Sequence, residues 1–127
     1  ELDIANVVSI NPGRQDVHDV VRDAGLFVLP SDYEGLSNSM LEAMAIGLPC
    51  ICTDCPCGGA RMVIHDGENG ILVPVGDEHE LAVAMTRVAD DNDLAYRLGA
   101  NAAGVRELLS ANAIADMWSE VIVGECR

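Results

Sequence analysis

Two glutamates, eight positions apart, are the residues of this sequence best suited to bind a polar ligand. Glu34 and Glu42 enclose a segment that contains one glycine, two serines and an asparagine. A carboxylate can accept hydrogen bonds from two neighbouring hydroxyl groups, so Glu42 is suited to a ribose and Glu34 to a hexose. The arrangement can therefore hold a sugar nucleotide.

The segment between the glutamates is predicted to lie between a strand and a helix. Residues 26–29 are an apolar run typical of a strand, and residues 38–46 carry an apolar stripe that ends at Gly47. The start of a helix leaves backbone N–H groups unpaired and carries partial positive charge. We expect an anion such as pyrophosphate to lie against residues 37–39, and Gly35 to let the backbone approach that ligand.

Each glutamate also has an interpretation that needs no ligand. The pattern Ser39-x-x-Glu42 fits a capping box, in which Glu42 occupies the third helical position and stabilises the helix start. Residue type alone favours this cap for Glu42 and a solvated loop position for Glu34. Only the segment as a whole favours a ligand site.

A longer stretch of the sequence resembles a known family. Residues 30–49, which read PSDYEGLSNSMLEAMAIGLP, closely resemble the signature of the group-1 retaining glycosyltransferases with the GT-B fold. The similarity continues through residues 53–56, 58–61, 66–74 and 76–77. It implies an α/β fold with a Rossmann-like, doubly wound parallel sheet, the C-terminal half of a GT-B fold. Residues 1–127 are expected to be a single nucleotide-sugar-binding domain, truncated at its N-terminal side.

The resemblance also implies roles for individual residues. Glu34 is expected to be the catalytic residue, in contact with the donor hexose, and Glu42 to hold the ribose hydroxyls. The expected donor-binding residues are Gly35, Leu36, Ser37, Asn38, Glu42 and Arg14. Arg14 is included because relatives contact the nucleotide base near this position.

The family pattern implies an enzyme of which this chain is one part. Relatives bind the donor phosphates with a basic pair in the first part of this domain and the acceptor on an N-terminal domain, and the chain is expected to begin after both. The expected reaction is retaining transfer of a hexosyl group from a UDP-, GDP- or ADP-sugar to an unidentified saccharide or lipid acceptor. The alternative is a non-catalytic nucleotide-sugar-binding module. Neither interpretation calls for a cofactor or a metal.

Charge and hydropathy argue against several partners. Seven basic and 21 acidic residues give a net charge of −14, which disfavours nucleic acid and anionic lipid. No apolar run approaches the roughly 20 residues of a spanning helix, so membrane insertion is not expected. Residues 90–93 are acidic but lack the glycine and final glutamate of a calcium loop, and are predicted to form a helix junction.

Four of the five cysteines lie within residues 50–57, which raises the question of a zinc site. Cys50 and Cys52 share one face of a predicted strand, where cysteine behaves as a small buried hydrophobe. Cys55 and Cys57 are placed in the exposed loop beyond. Four ligands this close would distort the strand, so metal binding is disfavoured, and the absence of a disulfide framework favours the cytoplasm.

The remaining pattern predicts alternating strands and helices. Strands are predicted at residues 4–10, 26–29, 49–53 and 70–73. Helices are predicted at residues 16–23, at 38–46 and from 77 to about 123, with breaks near 90–93 and 110–112. This alternation implies a parallel sheet with helices on both faces. The apolar residues expected to face the core from the last helices are Leu81, Val88, Leu94, Leu98, Val105, Leu108, Ile114, Trp118 and Ile122.

Arg61 has two interpretations. It can approach a donor phosphate, or it can form an ion pair with Asp54 or Asp66. The ion pair is favoured, because the surrounding residues depart from the commonest family pattern.

Overall fold

The computed structural model describes residues 4–13 and 17–124, and in these residues it contains one three-stranded parallel sheet. Its strands lie side by side in chain order: β1 (Phe27–Leu29), β2 (Cys50–Thr53) and β3 (Ile71–Val73). Ile51 of the central strand is in register with Val28 on one side and Ile71 on the other. The predicted strands at 26–29, 49–53 and 70–73 are therefore confirmed, as is their parallel arrangement.

The helices lie close to their predicted bounds. Among the described residues they are α1 (Val17–Val21), α2 (Asn38–Ala45), α3 (Glu78–Asp90), α4 (Asn92–Ala102), α5 (Val105–Leu108) and α6 (Ala111–Gly124), with a 3-10 turn at Ala60–Met62. The prediction of a helix junction at residues 90–93 is confirmed, because Asp91 caps α4 by accepting a hydrogen bond from the Leu94 amide at 2.9 Å. One further break, between α4 and α5, was not predicted.

Helices cover both faces of the sheet, as predicted. Cys50 and Cys52 point to one face and pack in a buried cluster that includes Met40 and Met44 of α2. Ile51 points to the opposite face and packs in a second cluster with residues of α3 and α4. Alternate residues of a strand point to opposite faces, so the central strand contributes to both cores.

The prediction of a buried strand at residues 4–10 is wrong. The segment forms a turn in which the amides of Val7 and Val8 donate to the Ile4 carbonyl at 3.0 and 3.1 Å. Its side chains are exposed, to 94% in the case of Ile10. A strand needs a neighbour that supplies backbone hydrogen-bond partners, and among the described residues none pairs with this segment.

The prediction that the apolar residues of the last helices all face the core is confirmed only in part. Five of them face a core. Val88, Leu94 and Leu98 are buried in the second cluster, and Leu81 is half-buried against it. Val105 is buried in the first cluster. Leu108 is exposed, Trp118 and Ile122 are 63% and 68% exposed, and Ile114 is half-buried. Helical periodicity identifies an apolar face, but it does not determine whether another element covers that face.

Within the part of the chain that the structure describes, every helix is too short or too polar to cross a lipid bilayer.

The second cluster should carry much of the stability of the fold. Leu98 is 0% exposed, whereas Leu108 is 52% exposed. We predict that Leu98→Ala lowers the free energy of unfolding by about 2–5 kcal/mol, because it removes buried methyl groups and leaves a cavity. The matched control Leu108→Ala should change it by less than about 0.5 kcal/mol. Urea denaturation of both variants checks this, and equal losses would contradict the assignment of the core.

Candidate functional site

The loop after β1, residues 30–37, carries Glu34 from the sheet to the start of α2 and is called here the glutamate loop. It lies against residues 54–59, which follow β2 and are called the cysteine loop. The hydroxyl of Thr53 donates to the Ser31 carbonyl at 2.5 Å, and the thiol of Cys55 donates to the same oxygen at 3.2 Å. Both loops start at the carboxyl ends of parallel strands, where open α/β sheets bind their ligands.

The start of α2 differs from what the capping box predicts. The N-cap residue is Ser37, and its side chain makes no capping hydrogen bond. The Ser37 hydroxyl lies 3.0 Å from the Ser39 hydroxyl instead. Ser39 is inside the helix and Glu42 is its fifth residue, exposed to solvent. The prediction that Glu42 serves as a cap is therefore wrong, because the helix begins two residues before the position that a capping box requires.

The amides at the start of α2 are available to a ligand. The first backbone hydrogen bond of this helix runs from the Leu41 amide to the Ser37 carbonyl at 3.1 Å. The amides of residues 38–40 precede it and have no partner within the helix. Asn38 and Ser39 are exposed, so their amides can reach a ligand, whereas Met40 is buried. Unpaired N–H groups and the positive end of the helix dipole together favour an anion.

Two other helices, α3 and α4, have an aspartate as the N-cap residue. Asp77 caps α3 by accepting from the Glu80 amide at 2.9 Å, and Asp91 caps α4. A carboxylate at the N-cap both satisfies an amide and compensates the helix dipole. Among these three helices, α2 alone begins without a side-chain cap, and it is the one that begins between the two glutamates.

The sequence-predicted site residues lie together in the glutamate loop and on α2. Glu34 is half-buried and Ser37 is buried, while Leu36 and Asn38 are exposed. A Cβ atom built on Gly35 meets nothing within 4 Å, so the space beside this backbone is open. Arg14 lies outside the described residues, and its assignment stays a prediction.

Glu42 lines a shallow groove between α1, α2 and α5, with a volume of about 270 Å³. The groove also has apolar walls, which include Leu41, Ile46 and Leu109, and two groups that can carry charge, His18 and Arg106. Because one carboxylate lies beside apolar surface, the groove combines a hydroxyl acceptor with a surface suited to a nucleoside.

A second crevice, of about 160 Å³, lies at the carboxyl ends of all three strands. Its lining includes the carboxylates Asp32, Asp77 and Glu78. These negative charges disfavour a phosphate and leave hydroxyl groups as the more compatible ligands. The start of α2 is thus the better place for a diphosphate.

Arg61 forms the predicted ion pair with Asp54. Its Nε donates to Asp54 Oδ1 at 2.7 Å, and its Nη2 donates to the second carboxylate oxygen. The hydrogen bond and charge of Asp54 raise the pKa of the Arg61 guanidinium above its ordinary value. The pair joins the first residue of the cysteine loop to the 3-10 turn that follows the loop.

The cysteines do not gather around a common centre. Burial raises the pKa of Cys50 and of Cys52 to about 12, so both stay protonated at neutral pH, although a metal would require thiolates. Cys55 was predicted to be exposed, and this is wrong: it is 2% exposed, because its thiol points into the contact between the two loops. Within residues 4–13 and 17–124, no three His, Cys, Asp or Glu side chains are arranged to hold a metal ion.

Comparison with known proteins identifies relatives along most of the chain. The family model described as Glycosyl transferases group 1 matches residues 2–91. The D-inositol 3-phosphate glycosyltransferase of Streptomyces bingchenggensis is 32% identical, over 99% of this chain and 29% of its own length.

Solved structures have the same fold. HepE of Anabaena, crystallised with UDP, gives a TM-score of 0.78 at 23% identity, over 87% of this chain and 30% of that chain. A TarM variant of S. aureus, crystallised with several ligands including UDP, gives 0.74 at 28% identity, over 81% and 21%. The chain thus spans less than a third of the length of each relative.

The thiol environments can be checked by labelling. We predict that iodoacetamide at pH 8 modifies the exposed Cys57 rapidly in the native protein, while Cys50 and Cys52 react only after unfolding. A pKa of about 12 gives these buried thiols roughly a thousandfold less thiolate than a cysteine in an unfolded chain. Peptide mass mapping of native and denatured samples measures this, and equal native labelling of all three thiols would contradict it.

Proposed function

The chain belongs to the group 1 glycosyl transferases, and from this premise we propose that it is the donor-binding part of an enzyme that transfers a hexosyl group from a nucleoside diphosphate sugar. The observation that carries the proposal is the uncapped start of α2, which lies between Glu34 and Glu42. A nucleoside diphosphate sugar has a diphosphate between two sugars. The site offers an anion-binding helix start between two carboxylates, in the matching order.

The diphosphate is proposed to bind at the start of α2. The amides of the exposed residues Asn38 and Ser39 can donate to its oxygens. The hydroxyls of Ser37 and Ser39, 3.0 Å apart, can add further hydrogen bonds. The net charge of −14 gives no bulk attraction for a diphosphate, so these local donors must supply the binding energy. In the complete enzyme, basic residues outside this chain are proposed to neutralise the remaining charge.

Glu42 is proposed to hold the ribose. Its side chain is exposed, and Glu42 is not at the position of a capping box, which was the interpretation that needed no ligand. It lies four residues after Asn38, about 6 Å along the helix axis, a separation similar to that between the diphosphate and the ribose hydroxyls of a nucleotide. The apolar groove beside Glu42 is then available to the nucleoside.

Glu34 is proposed to orient the hexose for transfer with retention. Its half-buried carboxylate can accept hydrogen bonds from hexose hydroxyls while the bond between the sugar C1 and the diphosphate breaks. Negative charge develops on the leaving diphosphate, and the amides of α2 stabilise it because they are oriented before the reaction begins. The acceptor, a saccharide or a lipid, is proposed to bind on another part of the enzyme. Its hydroxyl oxygen attacks the sugar C1 from the face that the diphosphate leaves, and the hydroxyl proton passes to an oxygen of the departing diphosphate. This scheme assigns no step to a metal or cofactor.

Two further properties are proposed, the donor base and the location. The complex of the related TarM with UDP supports uridine as the donor base, with GDP and ADP as the competing possibilities. The free thiols of Cys50, Cys52, Cys55 and Cys57 support a reducing location, the cytoplasm.

Calorimetric titration of the chain with UDP, GDP and ADP tests the proposal. We predict that one nucleotide binds selectively and that Glu42→Gln weakens it about tenfold or more, because a carboxylate accepts stronger hydrogen bonds from the ribose diol than an amide does. The melting temperature should hardly change, since Glu42 is exposed and caps nothing.

Glu120→Gln, on the exposed surface of α6, is the matched control and should leave the affinity unchanged. Binding that is equal in wild type and Glu42→Gln would contradict the ribose role. Absence of binding to all three nucleotides would contradict donor binding by this chain.

A further inference from the structure

The cysteine loop approaches the glutamate loop so closely that a side chain cannot fit between them. A Cβ atom built on Gly59 would lie 1.9 Å from the carbonyl oxygen of Gly35 and 2.6 Å from the amide nitrogen of Leu36. Both are backbone atoms, so no side-chain rotation can relieve the overlap. The backbone of Gly59 therefore packs directly against the backbone of Gly35, the residue that follows Glu34.

The requirement at Gly59 comes from this contact and not from its backbone conformation. Gly59 has φ −59° and ψ −44°, values that any residue adopts. Its neighbour Gly58 has φ +75°, which favours glycine, and lies in a turn that its amide closes with the Cys55 carbonyl. The pair thus combines one glycine needed for the turn with a second needed for the close approach.

A hydrogen bond holds the two loops together at the adjacent residue. The thiol of Cys57 donates to the backbone carbonyl of Glu34. Cys57 is exposed, so it contributes little to the core, and its contact is directed at the glutamate itself. Thr53 and Cys55 also donate to the Ser31 carbonyl. The glutamate loop is therefore held at two residues, Ser31 and Glu34.

The cysteine loop is itself braced. The Gly58 amide donates to the Cys55 carbonyl at 2.8 Å, and the Met62 amide donates to the Gly58 carbonyl at 3.2 Å. The ion pair of Arg61 with Asp54 closes the loop across its two ends. A braced loop can act as a support, because pushing it away would break these bonds as well.

We propose that Gly59 and Cys57 are positioning residues, which hold the glutamate loop where Glu34 can orient the donor hexose. The inference rests on the proposed function of Glu34. It assigns to the cysteine loop a role in sugar recognition without contact with the sugar. The sequence does not predict this role, because only the fold brings residues 54–59 against residues 30–37.

The test compares two ligands that share the uridine and the diphosphate, of which only one carries a hexose. We predict that Gly59→Ala weakens UDP-glucose binding by about tenfold or more, like the loss of a hydrogen bond to a charged group, and changes UDP binding less than about twofold. Gly25→Ala is the matched control, because a Cβ there meets nothing within 4 Å and Gly25 does not have a positive φ. An equal loss for UDP and UDP-glucose would show a merely structural role and overturn the inference.

A double-mutant cycle ties the effect to Glu34. Glu34→Gln should also weaken UDP-glucose selectively, and adding Gly59→Ala to it should cost little more, because both changes remove the same interaction. Additive losses would show that Gly59 acts independently of Glu34 and would overturn the inference.

Cys57 allows the test in variants that are expected to fold normally, because its side chain is exposed. Cys57→Ala removes the donor to the Glu34 carbonyl, whereas Cys57→Ser keeps a donor. We predict that the alanine variant weakens UDP-glucose binding about threefold to tenfold and that the serine variant restores it. Equal affinities of the alanine, serine and wild-type proteins would overturn the role of Cys57.

Backbone relaxation measured by NMR without any ligand separates this inference from the proposed function. In the wild type, the amides of Gly35 and Leu36 should show order parameters near 0.85, and Cys57→Ala should lower them toward 0.6. Unchanged order parameters would overturn the bracing of the loop. If the loop is braced but the wild type binds neither UDP nor UDP-glucose, the proposed function fails and the bracing stands without a role in sugar recognition.

Discussion

The proposed site depends on the backbone amides at the start of α2, which have no partner within the helix. Backbone N–H groups need hydrogen-bond partners, and a helix start leaves several without one. In α3 and α4 an aspartate supplies a partner, but Ser37 does not do so for α2. The parallel sheet places this open helix start at its carboxyl edge, beside Glu34 and one helical turn before Glu42. In the proposed function, the diphosphate of the donor supplies partners for these amides.

Packing explains how α2 keeps this open start. A missing N-cap costs about 1 kcal/mol, whereas burial of each large apolar side chain stabilises by about 1.5–3 kcal/mol. Met40 and Met44 are both 0% exposed and pack in the cluster that contains Cys50 and Cys52 of β2. Burial therefore outweighs the missing cap. The small, protonated cysteines lie on the sheet face that supports α2, which gives the cysteine-rich strand a structural purpose.

The sequence predicts those parts of the fold that depend on local pattern. The strands at 26–29, 49–53 and 70–73 are short apolar runs between turn residues, and each is paired in the sheet. Residues 4–10 show the same pattern but find no neighbour among the described residues, and Trp118 lies on an apolar face that the described residues leave exposed. Whether an apolar segment is covered depends on tertiary contacts, and sequence periodicity does not predict these contacts.

In the site, too, local features could be predicted from the sequence and tertiary contacts could not. The segment with Glu34 and Glu42 and the start of α2 at residue 38 could be predicted from the sequence. The cap could not, because both Ser37 and Ser39 are residue types that can begin a helix. The contact of Gly59 with Gly35 joins residues 24 positions apart and comes only from the pairing of β1 with β2. The sequence does not show this contact, because it depends on the tertiary structure.

Amide chemical shifts in a titration of the 15N-labelled chain with UDP test the central claim most directly. The account predicts that the amides of residues 38 and 39 shift, because they bind the diphosphate, and that Glu42 shifts with them. The capped start of α3 at residues 78–80 provides an internal reference that should stay unchanged. Shifts confined to α3 or α4, with residues 38 and 39 unaffected, would contradict the account.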